Sequence, residues 1–252
     1  LSWELSENGS YSHDPTYHGP LLYHLNAVVF TLLGITDTTA RLGPALAGIL
    51  LLIAIYPMRR YLGNGGALFA AVLVAMSPSL LFYGRYLRND IYMALFASLW
   101  VLGTLGYLEQ RKPRWLWLVT VAMALSFVAK ETAFITGCSI GSFLMVWAAA
   151  RIRRGVETWR DSPALELALT MLLVALPFLS PVVHLLLGWD PLDYESPEAW
   201  RQAAIAASIP VALSVVGGWI LWRGRGRTDS VAGSGSRWCC PFSGSAPPVI
   251  CW

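Results

Sequence analysis

Arg85, Arg88 and Asp90 fall within one six-residue stretch, Arg85-Tyr86-Leu87-Arg88-Asn89-Asp90, set between apolar runs long enough to cross a membrane. Charge at the edge of a bilayer is costly, so such a cluster reads first as a site. Lys130 and Glu131 are the only charges between Trp115 and Ala150. Arginine grips phosphate through a planar fork of donors, and lysine adds a point charge. A carboxylate within hydrogen-bond reach of a hydroxyl can take its proton. Together these groups suit an anionic lipid headgroup and an acceptor hydroxyl. Moving a sugar off a lipid phosphate has the same needs, because positive charge stabilises the departing anion.

Each residue also has a plainer reading. Asn89 or Asp90 could cap the helix that starts there. Arg85 and Arg88 could reach phosphates of the surrounding bilayer. Arg41, four residues after Asp37, could form a helical ion pair. Lys130 and Glu131 are neighbours on a helix and do not face each other, so separate partners are expected for them. His13, Asp14 and His18 are ligand types for a divalent cation, but their spacing matches no metal motif. Asp14-Pro15 is itself a turn signal. No cofactor and no bound metal are expected.

The elements that must position these residues are membrane helices. The chain is 56% hydrophobic and 13% charged, with a mean hydropathy of +0.53, against roughly 25% charge in a soluble domain. A crossing needs about 20 apolar residues. The apolar runs predict seven helices, near 39–57, 65–82, 90–108, 114–129, 132–150, 163–187 and 204–222. Residues 20–34, bounded by Pro20 and Gly34, are too short to cross comfortably and predict an interfacial helix. The fold class is an all-α polytopic bundle over residues 1–222. A Gly-, Ser-, Pro- and Cys-rich tail over 223–252 has no periodicity and is expected to be disordered or artefactual.

The connections test this topology independently. Arg59, Arg60, Arg111, Lys112, Arg114, Arg151, Arg153, Arg154, Arg160, Arg223, Arg225 and Arg227 all fall on one side. The positive-inside rule makes that side cytoplasmic. Arg41, Arg85, Arg88, Asp90, Lys130 and Glu131, with His13, Asp14, Tyr17 and His18, then gather on the extracytoplasmic face of a multi-pass plasma-membrane protein. Pro177 and Pro181 should kink the helix over 163–187.

Four stretches carry a resemblance. They are Tyr11-Ser12-His13-Asp14-Pro15-Thr16-Tyr17-His18-Gly19-Pro20, Ala40-Arg41-Leu42-Gly43-Pro44-Ala45-Leu46, Tyr83-Gly84-Arg85-Tyr86-Leu87-Arg88-Asn89-Asp90-Ile91-Tyr92 and Phe127-Val128-Ala129-Lys130-Glu131-Thr132-Ala133. In this order they resemble membrane glycosyltransferases of the GT-C class. The group is that of the protein mannosyltransferases and aminoarabinose transferases, on the branch labelled flippase-activity-associated. The likeness is good over residues 1–150 and loose over 151–222. It implies a polyprenyl-phosphate-linked sugar as donor, membrane lipids as surroundings, an acceptor of unspecified kind and no nucleic acid. It also implies that Asp90 is a second, supporting acidic residue, with Arg85, Arg88, Lys130 and Arg41 on the donor phosphate. Asp14, Tyr17, His18 and Glu131 would form the substrate loop. The principal acidic residue of such proteins is absent from this chain. The resemblance places it upstream of Leu1, at the end of a first membrane helix that is also missing, so the chain as it stands is expected to be inactive. The alternative is a non-catalytic partner of a lipid-linked oligosaccharide flippase, or a transporter.

Overall fold

The computed structural model describes residues 19–159, 161–180, 186–189 and 197–232, with the side chains of 201–219 alone in the last segment. Among them the regular structure is entirely helical. Pro20 opens α1, Leu21–Leu33, and Gly34 closes it in a left-handed conformation (φ 82°). Leu22, Asn26, Ala27 and Phe30 bury one face of α1, while Leu25, Val28 and Leu32 stay exposed on the other. At about 20 Å this helix has the short length expected of the element over 20–34.

A reciprocal Thr36–Thr39 capping box starts α2, Asp37–Met76. Forty residues of unbroken helix would run to about 60 Å, twice the hydrocarbon thickness. The chain instead reverses at Gly63, whose φ of 73° and ψ of 167° are not helical. Glycine carries no Cβ penalty at positive φ, so the reversal falls within the Gly63-Asn64-Gly65-Gly66 run. Its effect is visible at both limbs: Leu51 and Leu52 share a cavity wall with Val74 and Ala75. Ser77 then caps the short α3, Pro78–Tyr83. The two limbs correspond to the helices expected at 39–57 and 65–82, the second divided at Ser77-Pro78.

The central element is α4, Asp90–Gln110, about 31 Å long and buried on most of its circumference. Trp100 and Tyr107 are fully enclosed. Next comes α5, Pro113–Ala129, which packs tightly on α4 because Gly103 and Gly106 admit it. A Cβ on Gly103 would stand 2.8 Å from Val119 Cγ2, and one on Gly106 would enter the Trp115 ring. Small residues of this kind let membrane helices approach, since apolar burial alone gives no advantage in lipid. The remaining helices are α6, Ala133–Arg153, α7, Pro163–Ala175, and α8, Pro197–Ala232. A 3-10 turn over Leu176–Leu179 follows α7 and contains Pro177, so the helix expected over 163–187 tightens there. Pro181 and the residues 233–252 of the expected tail lie outside the described residues.

Asp37–Met76, Asp90–Gln110, Ala133–Arg153 and Arg201–Trp219 are long and apolar enough to cross a membrane, and Leu21–Leu33, Pro113–Ala129 and Pro163–Leu179 are shorter apolar helices. Two polar contacts tie helices together within the bundle. The Tyr107 hydroxyl donates to Glu166 of α7 at 2.5 Å, and the Ser214 hydroxyl donates to the Leu173 carbonyl at 2.7 Å. At the end holding the Gly63 reversal, Glu109 accepts from Arg60 Nε at 3.0 Å and from the Tyr61 hydroxyl at 3.1 Å.

Candidate active site

Opposite the Gly63 reversal, the loop from Gly84 to Asn89 joins α3 to α4. Its backbone folds tightly, with Arg85 N–H donating to the Phe82 carbonyl at 3.1 Å and Arg88 N–H to the Tyr86 carbonyl at 2.8 Å. Phe82 and Tyr86 stack at 5.3 Å between ring centroids, and the Arg88 guanidinium lies 5.6 Å from the centre of the Tyr83 ring. These contacts fix the approach of Arg88 to Asp90.

Asp90 stands in the first turn of α4 and is held by two cations. Arg88 Nε is 3.0 Å from Oδ2, and Lys130 Nζ donates to Oδ1 at 2.8 Å. Lys130 is only 18% exposed. It gets there because α5 ends at Ala129 and Lys130 itself takes an extended conformation (φ −162°) before α6 begins at Ala133. At 17 residues, α5 rises about 25 Å, less than the bilayer thickness. Its terminal lysine is mostly buried and is met there by a carboxylate. Glu131 is exposed. Lys130 thus pairs away from its neighbour Glu131, and among the described residues the Glu131 carboxylate has no partner.

The helix-capping reading of Asn89 does not hold: Asn89 occupies the cap position with no side-chain cap bond. Its carboxamide is buried instead, and neither its nitrogen nor its oxygen has a partner in the described structure. Arg41 does not pair with Asp37. It lines a cavity of about 310 Å³ with Arg85, Leu81, Phe82 and Tyr86. Among the described residues Arg41 and Arg85 make no ion pair. Arg41, Arg85, Arg88 and Lys130 thus share one end of the bundle with Asp37, Asp90 and Glu131, and the two arginines left unpaired, Arg41 and Arg85, are suited to a phosphate.

Below this end lies an apolar cavity of about 620 Å³ between α5, α6 and α7, bordered by Phe127, Phe134, Gly137, Gly141, Met145 and Leu172. Phe127 and Phe134 flank the Lys130 turn and touch at 4.6 Å. Gly19, the first described residue, meets the last turn of α5 so closely that a Cβ would collide with the Val128 carbonyl. The proposed loop residues Asp14, Tyr17 and His18, together with His13, lie outside the described residues. Among the described residues no three His, Cys, Asp or Glu side chains gather where they could hold a metal ion.

Sequence reasoning missed a second group of polar residues. Asn26 of α1 and Tyr92 of α4 are buried without hydrogen-bond partners. Both approach Gly43 of α2, where a Cβ would strike the Tyr92 hydroxyl and stand 3.4 Å from Asn26 Oδ1. The available signal was a carboxamide inside the apolar run 20–34, an expensive residue to place there.

The chain matches, over residues 17–183, the family model described as dolichyl-phosphate-mannose-protein mannosyltransferase. No curated protein and no solved structure matches it.

Proposed function

We propose that this chain, which belongs to the dolichyl-phosphate-mannose-protein mannosyltransferase family, takes part in sugar transfer from a polyprenyl-phosphate-linked donor to an acceptor hydroxyl on the extracytoplasmic face. Family membership makes it a membrane glycosyltransferase in class. The observation that carries the finer reading is the Asp90 carboxylate bridged by Arg88 and Lys130; two arginines without carboxylate partners among the described residues line a cavity of their own, and an apolar cavity begins at Phe127 and Phe134, on either side of the Lys130 turn.

In this reading the donor phosphate sits on Arg85, Arg88 and Arg41, with Lys130 beneath. As the bond between the sugar and the phosphate oxygen breaks, charge develops on the lipid phosphate, and fixed cations stabilise it most at that moment. Asp90 spends one lone pair on each cation, out of about four that a carboxylate offers. Its role is to hold Arg88 and Lys130 in place and to orient a sugar or acceptor hydroxyl. Proton removal from the acceptor is not assigned to Asp90, because both of its oxygens are engaged by cations. The lipid tail enters the cavity below Lys130, where Phe127 and Phe134 form the upper rim.

This arrangement is tested at Gly141, where an added Cβ meets nothing within 4 Å and a large side chain projects into the apolar cavity. In the full-length protein, Gly141→Trp should raise the KM for a long-chain polyprenyl donor about tenfold, through loss of apolar contact worth about 1–3 kcal/mol. Donors with a short lipid should show an unchanged KM. Equal KM values for the long-chain donor in both proteins would remove the tail from this cavity.

A further inference from the structure

At the end of the bundle opposite Asp90, α2 and the α4–α5 junction enclose a cavity of about 800 Å³. Three arginines line it, Arg59, Arg60 and Arg114, together with Tyr56, Trp115 and the buried Leu102. No carboxylate lines it. All three arginines are exposed, and each makes a contact that orients its guanidinium. Arg59 lies 4.1 Å over the Tyr56 ring. Arg114 lies 5.2 Å over Trp115 and donates to Gln110 Oε1 at 2.9 Å. Arg60 is offset by Glu109, which leaves Arg59 and Arg114 without an acidic partner among the described residues.

The length of α4, about 31 Å, puts this cavity at the membrane surface opposite the Asp90 cluster. Orientation preference accounts for basic residues in a connecting loop. It gives no reason for two of them to be stacked on aromatic rings around a concave site with an apolar floor. Exposed Ile49 and Ile53 continue from Tyr56 towards the membrane centre, a track for an acyl chain. We propose that this cavity binds the headgroup of one anionic phospholipid, with its phosphate between Arg59 and Arg114 and one chain along α2.

Native mass spectrometry of the purified 252-residue chain in detergent tests this, with dioleoylphosphatidylglycerol and dioleoylphosphatidylcholine offered at equal concentration. The expected result is one retained phosphatidylglycerol in preference to phosphatidylcholine. Arg59→Gln with Arg114→Gln should reduce its occupancy about tenfold, given roughly a several-fold contribution per basic residue at a membrane surface. Asn64→Trp, at an exposed position on the cavity rim, should reduce occupancy while leaving every charge in place. Arg154→Gln, an exposed cation of the α6–α7 loop away from the cavity, should leave it unchanged. Equal retention of the two lipids would overturn the proposal, as would an Arg154→Gln loss as large as that of the double variant. Full retention in both cavity variants would also overturn it. Displacement of the lipid by millimolar inorganic phosphate would mark a site for free anions and overturn the lipid assignment.

Discussion

Asp90→Ala in the full-length protein is expected to reduce sugar transfer about a hundredfold and to lower thermal stability together with it. The kinetic loss follows from position, since releasing Arg88 and Lys130 displaces the phosphate-binding cations, and misplacement by about 1 Å can cost roughly 10²-fold. The stability loss has a different source. Arg88 is 46% exposed and can turn to water, whereas Lys130 is 18% exposed and is left as a nearly buried, uncompensated cation. A fully buried pair broken from one side costs about 3–5 kcal/mol, and partial exposure here reduces that to about 2 kcal/mol. The two effects separate in the double variant Asp90→Ala with Lys130→Met. Removing the orphaned cation should restore most of the melting temperature while transfer stays low. Transfer that recovers along with stability would reduce Asp90 to a structural ion pair.

Trp100→Ala should give the largest loss of stability of any single side-chain truncation in the bundle, about 3–5 kcal/mol by thermal melting in detergent. Trp100 is fully buried on α4, and its ring rests against Gly137 of α6, where a Cβ would come 3.2 Å from Cη2. In lipid the cost is mainly lost dispersion contact across the helix seam, because exposed apolar surface carries little penalty there. The indole nitrogen is buried without a hydrogen bond, so its removal forfeits none. Trp117→Ala is the comparison, since that side chain is 69% exposed on α5 and its loss should cost under about 0.5 kcal/mol. Equal losses in the two variants would show that α4 is not the centre of the packing.

Much of this arrangement is legible in the sequence, for specific reasons. Membrane crossings are set by length and hydropathy, and connecting arginines mark one side, so Arg85, Arg88, Asp90 and Lys130 could be brought together before any coordinates. The turn at Lys130 followed from the length of the apolar run on either side of it. Partner choice was less accessible. Nothing in the spacing says that Arg88 and Lys130 take opposite oxygens of one carboxylate 40 residues from the lysine, because that depends on the α4–α5 approach through Gly103 and Gly106. The Asn89 cap failed for a similar reason: burial at the α4 start turned a residue suited to capping into a packed carboxamide. Asn26 and Tyr92 stayed hidden because a tyrosine in an apolar helix reads as an interfacial aromatic until a facing helix encloses it.

The central claim is that the Asp90 end of the bundle binds a lipid phosphate, and it can be measured without turnover. Affinity for a polyprenyl phosphate, determined on the 252-residue chain in nanodiscs of phosphatidylcholine, should fall at least about tenfold in Arg85→Gln with Arg88→Gln, since each charge-assisted hydrogen bond contributes roughly 1.5–3 kcal/mol. Arg154→Gln, at the opposite end, should leave it unchanged. Wild-type affinity in the Arg85/Arg88 double variant, with the protein still folded, would contradict the account.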